Sequence, residues 1–197
     1  YLSARGKKTV AISIPFTYPP SPIKGILTTG LGTPSRGSEF TYPPDFKNYI
    51  LKRFPNFDVD FDETMFDLAN KKEEILPKIK EVTDSQFLLA KDLFTKKDWD
   101  FFALVFRSTD VVQHYFFNNQ TVMRKYFVQI DKIIGWFLDH RDGQTTLIVC
   151  SDHGFRKVST RFYITRWLEK EGFLKVKKPK KVGLISADAA ERWLKKM

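Results

Sequence analysis

The sequence has a single cysteine and no long apolar run. Cys150 has no partner for an intramolecular disulfide, which suits a reducing compartment. No apolar stretch approaches the roughly 18 residues that a membrane-spanning helix needs. The chain begins with Tyr1 rather than Met, so the sequence leaves open a longer protein with a targeting signal outside it. We therefore expect a cytoplasmic protein that does not act in a membrane.

The composition favours a packed globular domain. Hydrophobic residues make up 42% of the 197 residues and include 19 phenylalanines, enough for one α/β domain with a sizeable core. The formal net charge is +10. This positive charge suits two kinds of partner, a nucleic acid and a small anionic phosphoester, and the charge alone does not decide between them.

A short apolar run is followed by an acidic residue and a histidine. Residues 147–150 come after the turn signal at 142–143, and their composition predicts a strand buried on both faces of a parallel sheet. Asp152 and His153 follow, and Gly154 allows the backbone to turn sharply. A carboxylate and an imidazole at the carboxyl end of such a strand lie where open α/β sheets build their sites. Both bind Zn²⁺ or Mn²⁺, although a hydrogen-bonded loop is the alternative interpretation.

A second acid–histidine pair follows another apolar run, residues 98–106. Asp110 and His114 are four residues apart. If a helix begins near Asp110, this spacing places both side chains on one face, one turn apart, where they could bind one ion. A helix-capping aspartate and an unrelated histidine are the alternative. Residues 122–137 then predict an amphipathic helix, so residues 98–150 read as a strand–helix–strand unit with parallel strands.

The remaining segments predict an insert and a linker within a single α/β domain over residues 1–197. Residues 9–14 are β-rich, and residues 16–44 are so dense in Pro, Gly, Ser and Thr that we expect a long loop rather than sheet. With the segments that follow, this loop forms a loop-rich and helical insert or cap over residues 16–97. Within the insert we expect a helix over 45–54, an edge strand or loop with solvated carboxylates at 57–62, and one or two helices over 63–97 broken near Pro77. Outside the insert, we expect a basic linker at 175–186 and a short helix over 187–197.

Three motifs resemble the type I phosphodiesterase/nucleotide pyrophosphatase family of the alkaline phosphatase superfamily. Ser-Asp-His-Gly-Phe at 151–155 is similar to the family's Ser-Asp-His-Gly-Met/Phe signature. Residues 110–114 resemble its Asp-Arg-x-Gln-His element, with Val111 in place of the frequent Arg, and residues 14–20 resemble its Val-Pro-x-Thr-Tyr-Pro-Pro turn. The likeness runs over residues 9–174. It implies an alkaline-phosphatase-like three-layer α/β fold with a mostly parallel sheet, incomplete in this chain.

The resemblance also implies two divalent metal ions, with Zn²⁺ favoured and Mn²⁺ as the alternative. Asp110 and His114 would bind one ion, and Asp152 and His153 the other. In the family a Thr or Ser nucleophile attacks phosphorus, and a covalent phospho-enzyme is then hydrolysed. No residue of this chain stands at the nucleophile's position, and no histidine follows His153. We therefore expect no catalytic nucleophile in this chain, which alone would be inactive without further segments or a partner chain.

The function expected from these motifs is that of a metal-dependent phosphoric ester hydrolase acting on a nucleotide or another small phosphodiester. This chain would carry half of its two-metal site. The alternative is a non-catalytic nucleotide- or phosphate-binding module that retains the metal ligands. A nucleic-acid-binding domain is supported only by the charge, so nucleic acid is the less favoured partner. A phosphomonoesterase, sulfatase or mutase of the same superfamily would share the ligands and differ in the loops around the substrate.

Overall fold

The computed structural model describes residues 1–60, 72–96 and 98–175. Contacts divide the chain into two compact units, Tyr1–Arg156 and Lys157–Met197. The predicted linker lies outside the described residues except for Lys175, and the predicted C-terminal helix lies wholly outside them. The interpretation as a single domain with an insert therefore stays a prediction.

A four-stranded, mostly parallel sheet forms the centre of the first unit. β1 (Thr9–Ile14) lies between β2 (Gly25–Thr29) and β4 (Phe101–Leu104) and is parallel to both. The two-residue β3 (Thr41–Tyr42) pairs antiparallel with β2, so the strand order is β3-β2-β1-β4. The predicted α/β class with a mostly parallel sheet is confirmed.

Five α-helices accompany the sheet in the described part of the chain. They are α1 (Phe46–Arg53), α2 (Lys72–Thr95), α3 (Ser108–Phe116), α4 (Gln120–His140) and α5 (Ile164–Lys170). The side chain of Asn119 caps α4 by accepting a hydrogen bond from the Val122 N–H. Within the described ranges, none of the helices is both long and apolar enough to cross a membrane.

Two apolar clusters hold the helices in place. The first joins β1 to α1, α2 and α4 through buried side chains that include Ile12, Ile50, Leu89 and Phe137. The second joins α2, α3 and α4, with Val112 of α3 fully buried in it. Because burying a side chain of this size contributes about 1.5–3 kcal/mol, these contacts rather than helix propensity fix the position of α3.

The predicted strand at residues 147–150 is wrong. The structure shows no strand there, and Ile148 and Val149 are 78% and 65% exposed. Only Leu147 packs, against the first apolar cluster. A strand needs a neighbour that accepts its backbone hydrogen bonds, and no described strand pairs with this segment. The predicted strand–helix–strand unit therefore has its first strand and its helices, but not its second strand.

The prediction of a loop without sheet over residues 16–44 is also wrong, because β2 and β3 lie inside it. Gly25 begins β2 with a φ of +133°, and a Cβ atom there would be 2.0 Å from the Thr9 carbonyl oxygen. Only glycine fits this close approach of β2 to β1. The glycine that indicated a loop in the sequence is thus what allows the two strands to pair.

Two further predictions are corrected in the segments that precede β4. Asp58 and Asp60 are not fully solvated. Asp58 is half-buried, and this burial raises its pKa. Asp60 is buried against Arg107, with 2.6 Å between Oδ1 and Nε. Helix α2 runs through Pro77 without a break. The proline removes one backbone hydrogen bond, but Ile75 and Ile79 are fully buried on either side of it. Residues 61–71 lie outside the described part, so their predicted structure is untested.

Candidate metal and phosphoester site

Helix α3 carries the first acid–histidine pair at the carboxyl end of the sheet. It begins at Ser108, four residues after β4 ends. Asp110 and His114 lie one turn apart, with 3.4 Å between Asp110 Oδ1 and His114 Nε2. Both side chains reach solvent, at 32% and 57% exposure. The one-face geometry expected from the four-residue spacing is therefore present.

A buried triangle of hydroxyl groups fixes the start of α3. Tyr126 of α4 donates a hydrogen bond to Ser108 Oγ at 2.5 Å, and Thr83 of α2 lies 2.9 Å from the same oxygen. The Thr83 and Tyr126 hydroxyl oxygens are 3.1 Å apart. All three residues are at most 4% exposed. Since buried hydroxyl groups are costly when unpaired, the triangle ties α3 to α2 and α4 at Ser108, two residues before Asp110.

An ion pair holds the residue before α3. The Arg107 guanidinium contacts the buried Asp60 carboxylate, and both side chains are less than a fifth exposed. Two residues further on, Thr109 Oγ1 donates to the Phe106 carbonyl at 2.8 Å, and Gln113 Nε2 donates to the Thr109 carbonyl at 2.9 Å. The turn from β4 into α3 is thus held by side chains on both sides of the helix start.

The second pair lies on a turn rather than at the end of a strand. Ser151 Oγ donates to the His153 carbonyl at 2.6 Å, and the His153 N–H donates to Asp152 Oδ1 at 3.1 Å. His153 Nδ1 is 3.0 Å from the Gly154 carbonyl oxygen. Because a carbonyl oxygen only accepts, the neutral ring carries its proton on Nδ1 and leaves Nε2 with a free lone pair. Asp152 Oδ2 is 3.5 Å from that Nε2.

Phe155 joins the two motifs. Its ring packs edge-to-face against the His114 ring, with 4.9 Å between centroids, and lies 5.4 Å from the Phe117 ring. Phe155 is two residues after His153, so this contact brings the second motif to the helix of the first. Within the described residues, however, no group of three or more potential metal ligands is formed.

In each acid–histidine pair, the carboxylate oxygen and the imidazole nitrogen are as far apart as two neighbouring ligand atoms of one metal ion. A tetrahedral ion with bonds of about 2.0–2.1 Å places neighbouring ligand atoms about 3.3–3.4 Å apart. The two carboxylate–imidazole separations are 3.4 Å and 3.5 Å. Each pair therefore fits two positions of a coordination sphere, and further ligands are needed to complete either one.

The third histidine lies away from both pairs. His140 ends α4, where its Nδ1 is 2.8 Å from the Trp136 carbonyl oxygen and its ring stacks on Trp136 at 4.0 Å. A histidine in the last turn of a helix can interact favourably with the helix C-terminus, and this contact with a backbone carbonyl is of that kind. The hydroxyl triangle and the Arg107 ion pair were not predicted, because their partners are 18 to 47 residues apart and carry no local signal.

Comparison with known proteins supports the motif assignment. The chain matches the family described as type I phosphodiesterase/nucleotide pyrophosphatase over residues 2–196. No curated protein and no solved structure matches it. The family supports a phosphoric ester hydrolase and implies phosphodiester or nucleotide substrates. Since the match covers nearly the whole sequence, the chain belongs to the type I phosphodiesterase/nucleotide pyrophosphatase family.

Proposed function

We propose that this chain is part of a metal-dependent phosphodiesterase or nucleotide pyrophosphatase and supplies half of its two-metal site. Asp110 and His114 would hold one divalent ion, and Asp152 and His153 the other. Zn²⁺ is the favoured ion and Mn²⁺ the alternative. The rest of the site would come from further segments or from a partner chain, and a cytoplasmic location is part of the proposal.

The contact between Phe155 and His114 carries this proposal. Without it, two acid–histidine pairs 42 residues apart in the sequence would be unrelated. With it, the turn that bears Asp152 and His153 is held close to the helix that bears Asp110 and His114. The donor separations in both pairs and the family membership support the same conclusion.

The residues of this chain would bind the ions and orient the ligand atoms. The carboxylates of Asp110 and Asp152 supply the negative charge that attracts a cation, and the Nδ1–H of His153 keeps its Nε2 free to bind. The Phe155 ring, which lies perpendicular to the His114 ring, limits the orientations open to His114. A bound divalent ion would polarise phosphoryl oxygens and lower the pKa of an attacking hydroxyl. The net charge of +10 would attract the anionic substrate.

A Mn²⁺ titration followed by electron paramagnetic resonance tests the ligand assignment. His114→Ala and Asp152→Ala should each lower Mn²⁺ affinity by about ten-fold or more, because loss of a partner that only supports a ligand already costs 10–100-fold. His140→Ala and Asp139→Ala are the matched controls, since both residues are exposed at the end of α4. Wild-type affinity in the first two variants, or equal losses in the controls, would overturn the assignment.

Hydrolysis of bis(p-nitrophenyl) phosphate with added Zn²⁺ or Mn²⁺ tests the proposed incompleteness of the site. We expect this chain to bind metal without turnover. Metal-dependent turnover that Asp152→Ala abolishes would show that a nucleophile lies within the chain or a second copy of it, and the half-site argument would be wrong. Turnover after addition of an upstream segment would favour the hydrolase over a non-catalytic binding module.

A further inference from the structure

The positive charge of the chain is concentrated in the second unit. Residues 157–197 contain twelve basic and four acidic residues, so they carry +8 of the net charge of +10. In the described residues 157–175 the basic side chains are Lys157, Arg161, Arg166, Lys170 and Lys175, and the acidic ones are Glu169 and Glu171. The second unit therefore presents the strongest attraction for an anionic partner.

The same segment exposes apolar side chains. Seven large apolar residues between positions 157 and 175 are exposed, and four of them are the aromatic residues Phe162, Tyr163, Trp167 and Phe173. The Phe162 side chain is 72% exposed and the Trp167 side chain 42%. Scattered apolar residues are normal on a protein surface, but a cluster of this kind marks a contact with a partner. We call residues 157–175 the aromatic–basic surface.

A helix and a closed turn present these side chains. Helix α5 is followed by Gly172, whose φ is +81°. The Phe173 N–H donates to the Leu168 carbonyl at 2.9 Å, and the Gly172 N–H donates to the Glu169 carbonyl at 3.2 Å. This pair of hydrogen bonds is a Schellman motif, which ends the helix. The exposed residues that follow Gly172 are therefore held beside α5.

Aromatic rings and positive charges lie next to each other on this surface. The Arg166 guanidinium carbon is 5.4 Å from the centre of the Tyr163 ring, and the centroids of Phe162 and Trp167 are 6.0 Å apart. Two kinds of anionic partner suit such a combination. Membrane-surface segments place aromatic and basic residues at the level of the lipid headgroups, and proteins that bind single-stranded nucleic acid stack bases on aromatic rings beside basic residues.

Two observations favour the membrane over the nucleic acid. The remaining exposed apolar residues are the aliphatic Val158, Ile164 and Leu174. Aliphatic side chains insert between acyl chains but offer no ring for a base to stack on. In addition, the Arg166 guanidinium lies over the Tyr163 ring, on the side where a base would otherwise stack.

We propose that the aromatic–basic surface is a docking site for a membrane surface that contains anionic lipid. The basic side chains would lie among the headgroups and attract their negative charge, and the aromatic and aliphatic side chains would insert at the boundary between headgroups and acyl chains. Binding of this kind needs no membrane-spanning helix. The proposal is independent of the metal ligands, all of which lie in the first unit.

Co-sedimentation of the whole chain with lipid vesicles tests this inference. Vesicles of equal parts phosphatidylcholine and phosphatidylserine should bind the chain more tightly than phosphatidylcholine alone, and added salt should weaken the binding. The combined variant Arg161→Gln, Arg166→Gln and Lys170→Gln should bind the mixed vesicles about 100-fold more weakly, because each basic residue near such a surface contributes about 5-fold. Phe162→Ser and Trp167→Ser should each lower the affinity about 10-fold, because each removes an inserted aromatic ring.

Matched controls come from the first unit. Lys125 and Phe127 are exposed on α4, so Lys125→Gln and Phe127→Ser should not change the affinity for vesicles. Insertion is measured separately by the quenching of tryptophan fluorescence by brominated phosphatidylcholine in the mixed vesicles. The conservative variant Trp167→Phe should reduce this quenching, whereas Trp136→Phe should leave it as in the wild-type chain.

Three results would overturn the proposal. The first is absent vesicle binding, or equal binding to both kinds of vesicle. The second is unchanged affinity in the combined variant or in Trp167→Ser. The third is vesicle binding in which Trp167→Phe is quenched as strongly as the wild-type chain. Without vesicle binding, a single-stranded oligouridylate that binds the wild-type chain and not Trp167→Ser would assign the surface to nucleic acid, and self-association lost in the same variant would assign it to a second copy.

Discussion

Replacement of Tyr126 by phenylalanine should change the stability of the protein in opposite directions at neutral and at high pH. The substitution keeps the ring, which is buried with α2 and α3, and removes only the hydroxyl group. That hydroxyl donates to Ser108 and lies 3.1 Å from Thr83 Oγ1. Losing one such buried hydrogen bond costs about 1 kcal/mol, so Tyr126→Phe should be less stable by about that amount at pH 7.

The same hydroxyl group lowers the stability of the folded protein in alkaline solution. Burial raises the pKa of Tyr126 to about 12 from its ordinary value of 10.0, although hydrogen bonds with Ser108 and Thr83 act in the opposite sense. As the pH rises above 10, the unfolded chain releases this proton first, and the unfolded state is stabilised relative to the folded one. At up to about 1.4 kcal/mol per pH unit, the wild-type protein should lose about 2 kcal/mol between pH 10 and 12 that the variant keeps.

Urea denaturation of both proteins at several pH values from 7 to 12 measures this difference directly. The wild-type protein should be the more stable below about pH 10.5, and the order should reverse near pH 11, where the alkaline loss exceeds the hydrogen bond's contribution of about 1 kcal/mol. Other tyrosines and lysines titrate equally in both proteins and cancel in the comparison. Parallel stability curves for the two proteins would refute the burial and hydrogen bonding of this hydroxyl.

Two further predictions concern the packing of the sheet and the stability of the protein at low pH. Gly25→Ala should destabilise the protein by about 3 kcal/mol or more, because its Cβ would lie 2.0 Å from the Thr9 carbonyl oxygen. Gly143→Ala, where a Cβ meets no atom within 4 Å, is the control, and equal urea midpoints for the two variants would contradict the close strand approach. Burial alone would raise the pKa of Asp92, but hydrogen bonding, chiefly with Lys96, lowers it below 3.8. The stabilisation by the Asp92 carboxylate is therefore present above pH 3.8 and lost as the pH falls through the lowered pKa. In Asp92→Asn, the urea midpoint should fall less than in the wild-type protein as the pH is lowered. An equal fall of the midpoint in both proteins would contradict this role of Asp92.

Local patterns in the sequence predicted α3, which carries the first acid–histidine pair, and α4, which packs against it. The amphipathic period of residues 122–137 lies within α4, and the four-residue spacing of Asp110 and His114 places both on one face of α3. Such patterns depend only on the repeat of a helix and on residues a few positions apart. The helix after Asp45 was predicted in the same way and is present as α1.

Strand prediction was less successful because pairing depends on distant residues. The apolar character of residues 147–150 indicated a buried strand, yet no described strand pairs with them and they are largely exposed. Strand β2 begins with the loop-forming Gly25 and comes three residues after Pro22, yet it pairs with β1. In both cases the residues next in sequence carried no information about the neighbour across the sheet.

By itself, the sequence determined the family, the α/β class and the residue types that could bind metal, because motifs and helical periodicity are properties of neighbouring residues. The tertiary structure decided what those residues contact. It brought Phe155 to His114, closed the hydroxyl triangle around Ser108 and set Gly25 of β2 against the backbone of Thr9 in β1. Each of these features joins segments far apart in the chain, and only packing in three dimensions sets which of them meet.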